Sequence, residues 1–431
     1  MNAGGRVGER PVPPAAGAGR RDYLWELLAA LWPPPAQLSR PARLPVAAGR
    51  SGALDFLVFP HARNPVLLVP LRPRRATAAA LRGYKASGGR RDRLRFGLAA
   101  AAAAAGLGRL APDRIRIEQP PGTPAPGSAG PAADIAGYLR SVLGAQTLVA
   151  LHIGAPRANR KPVLQAITPG GELAGFVKVS LNPLTTGLVR AEAAALEFLA
   201  GVPLARLGPP RLLHHGRWRG HEVLVQEAFR PARPARSVAD LTGAMTELAQ
   251  VRGVSRLPLA GSPYSHGLRS RLSALPRPEL AGPLLSALGS LEAAAGGAAL
   301  TFGSWHGDWT PWNMTMARGR ALVWDWERFA TGVPVGYDAV HYRLQGDIIR
   351  GGSDPAAAAE ALLAGAAGIL APFGIEPDAA GLVAALYLTE LAARYLSEGQ
   401  AEAGARLGRV DAWLLPALTR CAQRPGGLTR R

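Results

Sequence analysis

The chain has 431 residues, 48% of them hydrophobic, with one cysteine and a formal net charge of +20. Two or three domains at ~100–200 residues each fit that length, and the hydrophobic share excludes wholesale disorder. The lone Cys421 excludes a disulfide framework and a cysteine-based zinc site.

Of the 50 basic residues only Lys85, Lys161 and Lys178 are lysines, beside 52 Gly and 39 Pro. That pattern reads as compositional drift toward arginine rather than as selection for a basic surface. The charge is uneven: residues 1–140 carry 21 basic and 8 acidic groups, whereas 341–431 carry nine of each. A basic N-terminal third attracts anionic partners, but no nucleic-acid module is legible in it. No apolar run reaches ~18 residues, so no membrane span is expected. The apolar stretch at 24–32 is short and carries Glu26, unlike a secretory leader. A soluble, cytoplasmic protein is the expectation.

In chain order, residues 1–20 lack periodicity and read as a disordered lead-in. Strand-like runs at 54–59 and 65–70 flank a short hairpin-like loop. Helical stretches follow at 76–84 and 92–105, the second ending in seven alanines before Gly106, and 114–118 alternates like a strand. Residues 21–119 thus read as a small α/β domain of unknown role, and the Pro/Gly-rich 120–133 as a linker. Asp134 is placed to cap a helix through Leu143. Strands are expected at 147–153, 162–168, 173–180 and 221–226, with a helix at 188–199. A β-rich lobe over 134–228 then gives way to a mostly helical lobe over 229–420 and a short tail at 421–431. The fold class expected is α+β with two lobes.

The chemistry concentrates between 304 and 327. Asp308 and Asn313 lie five residues apart, and Asp325 follows twelve later inside an apolar run. Phosphoryl transfer from ATP needs such a set. One carboxylate orients the attacking hydroxyl, hard oxygen ligands hold Mg²⁺, and a cation offsets phosphate charge. Lys178 on the third strand of the β-rich lobe suits the last role, with Glu192 on the next helix as its partner.

His306, Gly307, Asp308, Pro311 and Asn313, followed by Val323 and Trp324 ahead of Asp325, Trp326 and Glu327, resemble the two motifs of the aminoglycoside phosphotransferase family. That family reads His-Gly-Asp-x-x-x-x-Asn and then an apolar pair before Asp-Trp-Glu, on a protein-kinase-like fold. The resemblance spans about 140–415. It implies Asp308 as the catalytic aspartate, Asn313 and Asp325 as Mg²⁺ ligands, and Lys178 on the α/β-phosphates paired with Glu192. Gln226 and Ala228 fall at the inter-lobe hinge, whose backbone would hold the adenine. The loop 154–161, with Arg157, Arg160 and Lys161, would cover the phosphates. His306 is expected to buttress the loop, Asp338 to cap a helix, and Trp309 and Trp312 are candidates for substrate contact.

The function expected is transfer of the ATP γ-phosphate to a hydroxyl of a small molecule such as a sugar, an amino alcohol or an aminoglycoside-like compound. Glu390, Glu398 and Glu402 could line a pocket for a polycation, but Arg394 lies among them and favours a different acceptor. The alternative is a catalytically weak, kinase-like nucleotide-binding regulator whose basic N-terminal domain recognises an anionic partner.

Overall fold

The computed structural model describes residues 19–39, 53–84, 90–111, 113–118, 132–144, 146–229 and 239–423. The lead-in as far as 18, the linker over 120–131 and the tail from 424 lie outside them. The first part of the chain forms helix α1 (Arg20–Leu31), strands β1 (Gln37–Ser39), β2 (Ala53–Phe59) and β3 (Leu67–Pro70), helices α2 (Arg74–Gly83) and α3 (Arg90–Ala104), strand β4 (Arg114–Glu118) and helix α4 (Ile135–Leu143). There follow β5 (Leu148–His152), β6 (Val163–Ile167), β7 (Leu173–Val179), α5 (Pro183–Ala200), β8 (Leu207–Gly208), β9 (Leu212–Trp218) and β10 (His221–Gln226). The remainder is α6 (Ala239–Ala249), β11 (Ser255–Pro258), α7 (Pro263–Ser273), α8 (Pro278–Ala295), β12 (Ala299–Trp305), β13 (Met314–Ala317), β14 (Arg320–Val323), β15 (Ala330–Pro334), α9 (Tyr337–Gln345), α10 (Pro355–Leu370), α11 (Pro377–Ser397) and α12 (Val410–Gln423).

Local chemistry sets several of these boundaries. Asp134 accepts the Gly137 N–H at 2.6 Å and starts α4. Helix α5 opens on a reciprocal cap between Asn182 and Thr185, with Pro183 in its first turn. It therefore begins five residues earlier than its Leu spacing suggests.

A single nine-stranded sheet runs in the order β1-β4-β2-β3-β5-β6-β7-β10-β9. The segment read as a separate α/β domain therefore has no sheet of its own: β3 pairs antiparallel with β5 through Leu67 with His152 and Leu68 with Leu151. The composition of β3 explains the join. All four of its residues are buried, and such a strand needs cover on both faces and a partner at each edge. Successive residues of β2 divide between the two faces. Phe56 and Val58 pack with α1 and α4, while Leu57 packs with α2 and α3.

The other lobe is helical and centres on α11, which buries an almost continuous stretch from Ala380 to Ala393. By length and composition alone Pro355–Phe373 and Pro377–Ser397 are apolar enough to cross a membrane, a test that the core helix of a globular lobe also passes, although no uninterrupted apolar run reaches that length. Isolated polar residues such as Thr389 and Glu390 break the runs without lowering the mean hydropathy far. In α11, 72% of the apolar window is buried inside the lobe. A third core, formed by α5 and α6 with Trp309, Met314, Val323 and Trp326, ties the sheet to the segments that carry the motifs.

Candidate active site

The loop after β12 is shaped by its neighbours before any ligand is considered. Gly307 has φ 82°, and a Cβ there would sit 2.5 Å from the Arg328 carbonyl oxygen, so only glycine fits. The Asp338 carboxylate accepts the N–H groups of His306 at 2.7 Å and Gly307 at 3.1 Å. Asp338 lies in the first turn of α9 and makes no cap; it grips the loop instead of capping the helix as expected. His306 is fully buried. Its Nδ1 accepts the Asp308 N–H at 3.1 Å and its Nε2 lies 3.1 Å from the Trp324 carbonyl. Only the neutral ring with its proton on Nε2 satisfies both bonds, and burial pushes its pKa down to about 4. The Trp324 N–H returns a bond to the Asn313 carbonyl at 3.0 Å. The two motif segments are thus stitched together at the backbone.

Asp308 keeps 36% of its side chain exposed. Its Oδ1 lies 3.1 Å from His341 Nε2, and its Oδ2 accepts from Asn313 Nδ2 at 2.9 Å. Buried His341 also bonds Tyr387 Oη through Nδ1 at 2.7 Å. Burial lowers the His341 pKa against the pull of Asp308, so the ring is neutral and donates through Nε2. Burial also pushes the Asp308 carboxyl up, but the His341 hydrogen bond and nearby positive charge outweigh it and hold Asp308 below the usual carboxylate range. Asn313 spends its amide protons on Asp308, and among the described residues its Oδ1 takes no hydrogen bond. That oxygen is left available to a hard cation.

Across the cleft, Lys178 Nζ meets Glu192 at 2.5 and 2.6 Å and also bonds Asp325 Oδ1. Lys178 and Glu192 are buried, whereas the Asp325 side chain is 27% exposed. Burial works against the Lys178 charge, yet Asp325 and Glu192 more than compensate and raise its pKa. The same charge, with that of Lys161, keeps Asp325 ionised despite its burial cost. Lys161 pairs with buried Glu327. One oxygen each from Glu192, Asp325 and Glu327 lies within 4.8 Å of the others, a hard-oxygen cluster suited to a divalent cation. Asp325 adopts φ 75°, a conformation that Asp tolerates better than most side chains.

The structure thus brings Lys178, Glu192 and Asp325 into one cluster and Asp308 with Asn313 into another. Gln226 ends β10, buried between β7 and β9, and the next N–H, of Glu227, is taken by the Arg211 carbonyl at 2.9 Å. Ala228 is half-buried just beyond, and the rings of Phe229 and Trp324 lie 6.5 Å apart there. Trp309 is fully buried among α5 and α6, so it belongs to the core and not to a substrate wall; Trp312 is half-buried. Sequence reasoning missed His341, which stands 33 residues beyond Asp308. The sequence shows a histidine three residues after Asp338 but nothing that marks it as functional.

No protein-family model matches the chain, and no curated protein matches it. Among solved structures, aminoglycoside phosphotransferase APH(4)-Ia in a ternary complex with ADP and hygromycin B is similar at 13% identity. It covers 66% of this chain and 98% of that one, with a TM-score of 0.43. The amicoumacin kinase hAmiN in complex with AMP-PNP, Ca²⁺ and Ami is similar at 12% identity, over 65% of this chain and 92% of that one, with a TM-score of 0.40.

Proposed function

We propose that the protein is an ATP-dependent phosphotransferase that moves the γ-phosphate of ATP to a hydroxyl of a small molecule. The observation that carries the reading is the meeting of an ionised, partly exposed aspartate with an asparagine ligand on one side and a buried lysine–carboxylate cluster on the other. Asp308 accepts a hydrogen bond from the acceptor hydroxyl through the face left open by His341 and Asn313, and so orients its oxygen in line with the phosphate. Its depressed pKa makes it a positioning group first and a proton acceptor once the hydroxyl has begun to react. Lys178 leaves Asp325 for the non-transferred phosphates, while Glu192 keeps the lysine extended. Gln226 and Ala228 supply the hinge against which the adenine lies. Asn313 and Asp325 fit a magnesium site by their chemistry: one free amide oxygen and one partly exposed carboxylate. Asn313 and Asp325 would hold Mg²⁺ there, and the ion would supply charge compensation for the phosphate oxygens.

A nucleotide that binds only the folded chain raises its melting temperature. Addition of AMP-PNP is expected to shift Tm by several degrees only when Mg²⁺ is present, and Asp325→Ala is expected to lose that shift. An equal shift in the variant, or none in the wild type, defeats the reading.

A further inference from the structure

Glu390, Glu398 and Glu402 do not form an open anionic pocket, because an arginine answers each of the three. Arg271 forks onto Glu390 at 2.6 and 2.7 Å. Arg328 reaches Glu398 at 2.5 Å, and Gln400 Nε2 donates to the same carboxylate at 2.8 Å. Glu402 faces Arg277 at 3.7 Å on the surface. Arg394, on α11 between Glu390 and Glu398, is different. Among the described residues its one side-chain hydrogen bond runs from a terminal nitrogen to the Gly307 carbonyl at 2.6 Å, and it forms no ion pair. It is half-buried, close enough to Asp308 for the charges to feel each other, and its guanidinium lies 5.8 Å from the Tyr395 ring. A guanidinium carries five N–H donors in a fixed fork. Burial works against the Arg394 charge, but Tyr395, Asp308 and Glu398 more than offset that cost and keep it charged, while most of its donors meet no acceptor among the described residues and are free to take a ligand.

We propose that Arg394 anchors an anionic group, carboxylate or phosphate, on the acceptor that presents its hydroxyl to Asp308. The inference rests on the phosphotransferase reading and narrows its acceptor to hydroxy acids or phosphorylated alcohols. Polycations are disfavoured on the same grounds: the nearby carboxylates are already paired, and the unpaired charge is positive. One edge of the guanidinium holds the backbone immediately before Asp308 while the other receives the acceptor, so anion binding and hydroxyl placement share one rigid support. Planar fork geometry matches carboxylate and phosphate oxygens in pairs.

The experiment uses the full chain saturated with Mg²⁺ and AMP-PNP, so that the nucleotide shift reports separately on the nucleotide site. Further stabilisation is measured with glycerate, gluconate and glycerol 3-phosphate, with glycerol and glucose as neutral counterparts, with tobramycin as polycation, and with NaCl at matched ionic strength. Wild type is expected to respond to at least one anionic probe and not to its neutral counterpart. In Arg394→Gln the response is expected to weaken at least tenfold in apparent affinity while the nucleotide shift survives. Arg394→Lys keeps the charge without the fork and is expected to weaken anion binding several-fold; it decides the matter should the glutamine variant fail to fold. Equal responses to neutral probes, a response confined to tobramycin, no response to any anion, or anion binding unchanged in the folded variants would overturn the proposal. Loss of the nucleotide shift itself would instead count against the phosphotransferase reading.

Discussion

The segment 19–118 and the segment 299–345 bury side chains of opposite character. Among the described residues of the first, apart from the polar tips of the buried aromatics Tyr23, Trp32 and Tyr84, Thr77 is the one buried polar side chain, and its hydroxyl is spent on the Pro70 carbonyl at 2.7 Å. The second buries Ser304, His306, Thr310, Asn313, Thr315, Glu327, Asp338, His341 and Gln345. Burying a polar group costs free energy unless it is fully hydrogen-bonded, and even then it stabilises little. The first segment is therefore built for cohesion of the sheet. In the second, the bonds of His306, Asn313, Asp338 and His341 converge on one short loop and one carboxylate. That convergence fixes geometry at some expense in stability, as expected where chemistry is done.

The contrast is sharpest when one substitution is made in each segment. Asp308→Asn is expected to lower ADP release, with water or an added alcohol as acceptor, by ~10²- to 10⁴-fold, while Tm and the Mg²⁺–AMP-PNP shift stay near those of the wild type. Leu68→Ala, in the buried seam where β3 meets β5, is expected to cost about 2–5 kcal/mol of stability and to leave turnover intact below its melting range. Full turnover in the aspartate variant would remove the catalytic role of this loop. Loss of turnover by folded Leu68→Ala would show that the two segments are not separable in this way.

Acid and base titration probes the polar segment from within. His306 has a folded-state pKa of about 4 against 6.5 unfolded, because burial resists its charging. The unfolded chain therefore binds the extra proton first, and stability is lost as pH falls from 6.5 toward 4. Asp338 runs the other way: burial raises it to about 7 from 3.8. Its contribution is fully present below 3.8 and is lost as pH rises through 7. Each limb is worth up to a few kcal/mol, and between pH 4.5 and 6.5 they oppose one another. Denaturant midpoints across pH 4.5–7.5 are expected to change gently from these two groups in the wild type. His306→Asn should then gain stability on acidification, and Asp338→Asn should lose it. Parallel curves for all three proteins would contradict the assignment.

Much of this site was legible in the sequence because its chemistry demands particular residue types at short, fixed spacing. Asp308, Asn313 and Asp325 lie within eighteen residues of one another, and Lys178 stood out in a chain with three lysines. The 114–118 and 221–226 strands appear with the expected limits, since alternation and apolar runs are local signals. What escaped depends on distant packing. His341 and Arg394 reach the loop from α9 and α11, and no local pattern distinguishes a histidine that meets Asp308 from one that fills a core. The union of the two expected sheets depends on the β3 and β5 edges meeting across an intervening 77 residues, which the Pro-rich stretch between them concealed. Trp309 misled because aromatic residues beside a catalytic loop serve packing as readily as recognition.

A relay through the loop between β5 and β6 links the two segments and gives the smallest effect expected. In the loop between β5 and β6 the Arg160 guanidinium lies 3.2 Å from the centroid of the buried Tyr23 ring on α1. Two residues away on the same β5–β6 loop, the Ala158 N–H donates to Gln400 Oε1 at 3.3 Å, and Lys161 reaches Glu327. The loop proposed to cover the phosphates is thus held on one side by the helical lobe and on the other by the first helix of the apolar segment. A cation–aromatic contact of this kind contributes about 0.5–2 kcal/mol, and its loss should show as looser nucleotide binding rather than as slower chemistry. Tyr23→Ala is expected to weaken Mg²⁺–AMP-PNP binding by ~2- to 10-fold, read by calorimetry, whereas Tyr23→Phe, which keeps the ring, should bind like the wild type. Unchanged affinity in a folded Tyr23→Ala would confine the N-terminal strands and helices to cohesion alone. Weakening in the alanine variant and not in the phenylalanine variant would make α1 part of the nucleotide site's support, and the apolar segment would then serve the chemistry through a single ring.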